Sequence, residues 1–121
     1  FLPTSEIVAL YQQALALTYL SLFGPSNLPP LEALNLGCPV ICSNADGMFE
    51  QLGNNALYFN GYDEKDLAKQ IKYVLDTENK HQITEMINRG KIFAGNLTIE
   101  KYFEKLNLIF SDFSLIRECW E

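Results

Sequence analysis

The sequence predicts an α/β fold: a partial doubly wound, Rossmann-like parallel sheet over residues 1–76, followed by a helical C-terminal tail over residues 77–121. Short apolar runs alternate with longer segments of helical periodicity in the first part, which is typical of parallel strands joined by crossover helices. The run Pro39–Cys42 is apolar throughout, as expected for a strand covered on both faces. The chain has 121 residues, enough for one domain but not two.

The individual elements follow from hydrophobic spacing and from cap and turn residues. We expect the end of a strand at Phe1–Leu2, then a helix capped by Thr4 and running to about Leu15, and then a buried strand from Leu15 to Leu20. A loop from Ser21 to Leu28 leads into a helix from Pro29 to about Leu36, which Gly37 stops. After it we expect the strand at Pro39–Cys42, a turn at Asn44–Gly47, a short helix over Met48–Leu52 and a strand at Ala56–Phe59.

Three further helical segments complete the chain. Asp63 caps the first, in which Leu67, Ile71 and Val74 form an apolar stripe while Lys65, Lys69 and Lys72 form a solvated face. The second carries Ile83, Met86, Ile87 and Ala94. Thr98 caps the third, whose apolar stripe consists of Ile99, Tyr102, Phe103, Leu106, Ile109, Phe110 and Phe113 and continues to Ile116, Cys119 and Trp120.

Composition and charge argue against several classes of function. The net charge of -6 disfavours a nucleic-acid-binding face and strong docking on anionic lipid. No apolar run of about 18 residues occurs, and we expect no signal peptide. We expect Cys38 and Cys42 to be small core residues in a reducing compartment, and His81 to be solvated. We therefore predict no metal site and no cofactor.

The loop from Ser21 to Leu28 contains the most informative chemistry, because it leads directly into a helix N-terminus. Unpaired N–H groups and the positive end of the helix dipole suit a diphosphate there. Pro29 and Pro30 lack N–H groups, so the candidate donors are the amides near Ser26, Asn27 and Leu28. Glu32, one turn inside the helix, could accept hydrogen bonds from the two hydroxyls of a ribose. An ordinary helix start, with Glu32 favourable to the dipole, is the alternative.

Five consecutive segments extend this pattern: Leu17–Ala33, Gly37–Asn44, Gly47–Glu50, Asn55–Asn60 and Asp63–Ala68. Together they resemble the group-1 (family 4) retaining glycosyltransferases of GT-B fold. The resemblance covers roughly residues 1–76, and the helical tail is compatible with it. It implies that the chain is a truncated C-terminal, nucleotide-sugar-binding domain, which agrees with a sequence that starts on Phe1 without methionine.

The resemblance implies roles for individual residues. Glu32 would hold the ribose hydroxyls, and the amides near Asn27 and Leu28 would hold the distal phosphate, with Ser26 and Gly24 in the same donor-binding loop. The family commonly carries a glutamate near the transferred sugar, eight positions before Glu32, where this chain has Gly24. We interpret Gly24 as subfamily variation rather than loss of activity, and it leaves the catalytic residue unassigned.

Two further acids remain ambiguous. Glu50 stands where the family carries a glutamate after a glycine turn, and a surface helix residue is an equal alternative. Asp46 has the same ambiguity, with the surface interpretation favoured.

The implied parent enzyme transfers a sugar, with retention and without a metal, from a nucleotide diphosphate donor to an acceptor. A UDP-sugar is favoured as donor, and surface-polysaccharide or O-antigen-type biosynthesis as the pathway. The acceptor, a glycan or a polyprenyl-linked sugar, would bind a missing N-terminal domain. The protein would be cytoplasmic, with the parent at the inner face of the plasma membrane if the acceptor is a lipid.

This sequence lacks the basic residue and the base-recognition strand that the family places upstream. We therefore expect the fragment alone to be inactive and to bind nucleotide weakly or not at all. Without a partner, the apolar stripe of the last helix would favour self-association, unless its first part belongs to the core. The rival functions are a nucleotide-sugar epimerase of GT-B architecture, an inactive scaffold, and a receiver-like α/β signalling module.

Overall fold

The computed structural model describes residues 1–23 and 27–118, and leaves out the side chains of residues 114–116 and 118. Its elements, in chain order, are α1 (Thr4–Gln13), β1 (Leu17–Tyr19), α2 (Leu28–Leu36), β2 (Val40–Ser43), α3 (Met48–Leu52), β3 (Leu57–Phe59), α4 (Glu64–Leu75), α5 (Lys80–Gly95) and α6 (Ile99–Glu118). Short 3-10 turns occur at Gly53–Asn55 and Thr77–Asn79. The mixed α/β fold is confirmed.

The three strands form one parallel sheet in the order β1-β2-β3. All four residues of the central strand β2 are buried: Val40, Ile41 and Cys42, as the predicted apolar strand Pro39–Cys42 requires, and in addition the polar Ser43. The strand predicted from Leu15 to Leu20 is present, but its predicted length and burial are wrong: β1 has only three residues, and both Leu15 and Leu20 are exposed. Since β1 has a paired strand on one side only, its residues are covered less completely than those of β2.

The beginning of the chain also differs from the prediction. Phe1 and Leu2 are exposed and belong to no strand. Thr4 is already helical, and the N-cap of α1 is Pro3, which makes no side-chain cap hydrogen bond. The helix ends at Gln13 because the backbone of Ala14 is extended, with ψ 143°.

The predicted boundaries are more accurate where a cap residue fixes them. Gly37 ends α2 in the left-handed conformation, with φ 80°. The carboxylate of Asp63 accepts hydrogen bonds from the amides of Lys65 and Asp66 and so caps α4. The short helix α3 has the predicted bounds, Met48–Leu52.

The core lies between the sheet and the helices α2 and α5, which pack closely against each other. A side chain at Gly90 of α5 would start 2.8 Å from Cδ2 of Leu34 in α2, so the two helices approach each other at a glycine. Cys38 and Cys42 are buried in this core, as predicted.

The described part of helix α6 is not buried against the core in this way. Of its apolar stripe only Leu106 is half-buried, and these members are exposed: Ile99, Tyr102, Phe103, Ile109, Phe110 and Phe113. The alternative that the first part of the stripe belongs to the core is therefore wrong. The side chain of Ile116, and Cys119 and Trp120, lie outside the described residues. Among the helices that the structure describes, none is long and apolar enough to cross a membrane.

The position of Cys42 makes stability sensitive to alkaline pH. Burial raises the pKa of its thiol from 9.0 to about 12. The unfolded chain therefore loses this proton at a lower pH than the native chain does. The free energy of unfolding includes the full contribution below pH 9.0 and loses it as the pH rises toward 12. We expect Cys42→Ala to lose less stability than the unchanged chain between neutral pH and about pH 10 in urea unfolding.

A suitable control is Val40→Ala, which shortens a buried side chain of the same strand but removes no titratable group. Its destabilisation should be the same at both pH values. An equal alkaline loss of stability in the Cys42→Ala variant and the unchanged chain would contradict the prediction.

Candidate functional site

The loops after the three strands meet at one edge of the sheet, because the strands are parallel and their carboxyl ends lie on the same side. The hydroxyl of Ser43, the last residue of β2, donates to the carbonyl oxygen of Ser21 after β1. The amide of Asn44 donates to the carbonyl oxygen of Phe59 in β3, at 2.9 Å. The sheet edge is thus held together by direct bonds between neighbouring loops.

The third loop touches the first at Gly61. A side chain on Gly61 would overlap Cδ2 of Leu22 and would start 3.4 Å from Cβ of Ser43. The end of the Leu22 side chain therefore occupies the space that a Cβ on Gly61 would fill.

A cavity of about 230 Å³ opens at this edge. Its lining comes from the first two loops and the start of α3: Ser21, Leu22, Phe23, Asn27, Ala45, Asp46 and Met48. The Asp46 carboxylate is exposed, and within the described ranges no hydrogen bond or ion pair engages it. Asp46 therefore brings an acidic residue without a described partner to the cavity lining, and none of the described lining residues is basic.

Asn27 connects the cavity to the N-terminus of α2. It is the N-cap residue, in the left-handed conformation with φ 39° and ψ 39°. Its side chain makes no cap bond to the helix. Since Pro29 and Pro30 lack N–H groups, the amides of Asn27 and Leu28 are the described N–H groups nearest the start of α2.

Two side chains from other elements bind Asn27. The hydroxyl of Tyr19, at the end of β1, donates to Oδ1 of Asn27 at 3.2 Å. Nε2 of Gln51 in α3 donates to the carbonyl oxygen of Asn27, also at 3.2 Å. Neither Tyr19 nor Gln51 is predicted as a site residue from the sequence, because no periodicity or motif relates them to a residue 8 or 24 positions away.

Glu32 lies further along α2 and faces α1. Its Oε2 accepts a long hydrogen bond of 3.4 Å from the hydroxyl of Tyr11, and none of the described residues bonds its other oxygen. Burial, and secondly the Glu32 carboxylate, raise the pKa of Tyr11 above its ordinary value of 10.0. Glu32 thus keeps most of its capacity to accept hydrogen bonds from a ligand.

Glu32 and Asn27 do not share a cavity. Glu32 lines a groove of about 370 Å³ between the helices, together with Thr4, Ile7, Val8, Tyr11, Asn35 and Leu36. Glu32 is four positions beyond Leu28, the first residue of α2, which corresponds to a rise of about 6 Å along the helix from that residue. A ligand that contacts both must therefore extend around the end of α2.

The other predicted site residues are more peripheral. Glu50 is exposed on α3, outside the cavity lining, and its charge adds to the effect of burial in raising the pKa of Tyr58. Leu28 is exposed at the first position of α2. Gly24 and Ser26 lie outside the described residues.

Basic residues are absent from the first half of the chain. All nine lysines and arginines occur at Lys65 or later. Lys65, Lys69 and Lys72 lie exposed on α4, as predicted, and His81 is exposed over 82% of its side chain. Among residues 1–23 and 27–118, no three His, Cys, Asp or Glu side chains are grouped so that they could hold a metal ion.

Known proteins match most of the chain. It is 38% identical over 85 residues to the O-antigen chain mannosyltransferase RfbU of Salmonella typhimurium, covering 70% of this chain and 22% of that protein. It is 31% identical over 108 residues to the serotype-specific mannosyltransferase WbdA of Escherichia coli, covering 84% and 13%. It is 29% identical over 83 residues to O-antigen chain mannosyltransferase B of Escherichia coli, covering 69% and 22%.

The chain thus spans at most about a fifth of the length of these relatives. A family comparison also covers most of the chain. The family described as "Glycosyl transferases group 1" matches residues 1–93, which include the whole sheet, the strand-end cavity and α2. The chain therefore belongs to the group 1 glycosyltransferases.

Proposed function

We propose that the chain binds the donor in a longer glycosyltransferase that moves a mannosyl unit from a nucleotide diphosphate mannose to an acceptor sugar. The observation that carries the proposal is the cavity beside the N-terminus of α2, where Asn27 and Leu28 keep backbone donors for an anion. The choice of mannose rests on relatives that are named mannosyltransferases.

In this proposal the helix end acts on the leaving group. Negative charge develops on the diphosphate as the sugar departs, and the amides of Asn27 and Leu28, together with the helix dipole, stabilise it. The Asp46 carboxylate would repel a phosphate, so the part of the cavity near Asp46 suits sugar hydroxyls. Glu32, in the neighbouring groove, takes the hydroxyls of the ribose.

The finer assignments rest on the family resemblance. They are a GT-B fold, retention of anomeric configuration, a metal-independent reaction and a uridine base on the donor. The acceptor, a glycan or polyprenyl-linked sugar, binds a separate N-terminal domain. The enzyme acts in O-antigen-type polysaccharide biosynthesis on the cytoplasmic side of the plasma membrane. Family membership favours this transferase over the epimerase and the receiver-like module.

Glu32 provides the first test of the proposal. In the longer enzyme, Glu32→Gln removes the charge that strengthens hydrogen bonds to the ribose, so KM for the donor should rise about tenfold or more. Steady-state kinetics with varied donor measure this. Glu6→Gln, which neutralises an exposed acid of α1, is the control and should leave KM unchanged. An unchanged donor KM in the Glu32 variant would remove Glu32 from the site.

The isolated 121-residue chain provides the second test. It should bind uridine diphosphate only weakly, because no lysine or arginine precedes Lys65 to neutralise the phosphates. Titration calorimetry should therefore detect no binding in the micromolar range. Micromolar affinity would show that helix-end amides suffice, and would contradict the requirement for a cation from elsewhere in the enzyme.

Self-association of the isolated chain is the third expectation, because the apolar stripe of α6 is exposed. Ile109 lies within the stripe and is 63% exposed, whereas Leu108 is 66% exposed and lies about 180° away from Ile99 around the helix. Ile109→Glu should lower the sedimentation-derived mass of a concentrated sample, and Leu108→Glu should not. A monomeric unchanged chain, or equal effects of the two variants, would contradict an interface on the stripe.

A further inference from the structure

Asn27 has a left-handed backbone conformation, with positive φ, which most non-glycine residues avoid. Among the described residues it is the one non-glycine residue with positive φ, at 39°. Asparagine tolerates this region better than most residues but does not require it. Its neighbours therefore have to keep the loop in this conformation where the chain enters α2.

Two hydrogen bonds hold Asn27, one through its side chain and one through its backbone. Tyr19 binds the side-chain oxygen, which explains why that oxygen does not cap α2. Gln51 binds the main-chain carbonyl oxygen. The side chain and the backbone of Asn27 are thus held independently of each other.

Both contacts come from regular elements rather than from the loop. Tyr19 is paired with Cys42 in the sheet, and the backbone N–H of Gln51 donates to the carbonyl oxygen of Gly47 at 3.0 Å. Their backbones are therefore fixed before any ligand arrives. We call Tyr19, Asn27 and Gln51 the Asn27 clamp.

We propose that Tyr19 and Gln51 are positioning residues: through the Asn27 clamp they orient the amides of Asn27 and Leu28 toward the donor diphosphate. This inference rests on the proposed function. Neither side chain needs to touch the donor. Loss of either contact lets Asn27 return to negative φ and turns its amide away, so donor binding weakens while acceptor binding does not.

A double-mutant cycle in the longer enzyme tests the role of Tyr19. Tyr19→Phe removes only the hydroxyl, and we expect the donor KM to rise about fivefold, as for the loss of one neutral hydrogen bond. Asn27→Gly keeps access to positive φ but lacks the accepting oxygen. In the Asn27→Gly background, Tyr19→Phe should therefore have no further effect.

Gln51→Glu gives the complementary result. It replaces the amide N–H group with an acceptor of nearly equal size. Because Gln51 binds the main chain of residue 27, this variant should raise KM for the donor both in the unchanged enzyme and in the Asn27→Gly variant. Tyr58→Phe is the matched control. It removes a tyrosine hydrogen bond to another turn, 2.6 Å from the carbonyl oxygen of Gly53, and should leave the donor KM unchanged.

The outcomes separate the clamp from the proposed function. Additive effects of Tyr19→Phe and Asn27→Gly, or an equal rise in acceptor KM, would overturn the positioning role. The φ of Asn27 is read independently from the nuclear Overhauser effect between its amide and α protons in the isolated chain. If Tyr19→Phe shifts that φ but the enzyme uses no nucleotide sugar, the clamp stands and the proposed function fails.

Discussion

The burial of β2 between two parallel neighbours is the constraint on which the rest of the structure depends. Its four residues have no solvent contact, so their amides and carbonyls must pair with β1 and β3. Parallel pairing requires a crossover helix for each connection and brings every carboxyl end to the same edge. The position of Ser21, Ser43 and Asn60 at one edge is therefore a consequence of hydrogen-bond satisfaction in the sheet. The same requirement therefore determines where the candidate site lies.

Helix α2 adds a second constraint, because it carries both the proposed anion-binding end and a carboxylate. Asn27 at its start and Glu32 beyond the first turn keep a fixed separation and a fixed angle as long as the helix is intact. Its packing against α5 at Gly90 holds the whole unit on the core. An extended ligand with an anionic centre and a distant diol matches this arrangement better than a compact one does.

The sequence predicted the features that local chemistry determines. The apolar run around Ile41, the cap residue Asp63 and the glycine stop at Gly37 each specify their element without help from distant residues. Predictions failed where the outcome depends on neighbours in space. Phe1 and Leu2 have strand-forming side chains but no strand beside them, and an apolar stripe on α6 does not reveal whether anything covers it.

The candidate site shows the same division. Asn27, Leu28 and Glu32 could be proposed as site residues because they lie on one helix start with a recognisable composition. Tyr19 and Gln51 could not, because their contacts with Asn27 form only when β1, α2 and α3 have assembled. The separation of Glu32 and Asn27 into two depressions also depends on where α1 packs, which hydrophobic spacing alone does not determine.

The distribution of basic residues has a consequence for kinetics. Because lysine and arginine begin at Lys65, the chain's excess of acids lies in the same part of the sequence as the sheet edge. A multiply charged anion approaching that edge meets a repulsive field before any helix-end amide can attract it. Added salt would screen this repulsion over a Debye length of about 10 Å at 0.1 M, so association with the isolated chain should become faster with ionic strength. A cationic surface contributed by another part of the enzyme would reverse that dependence.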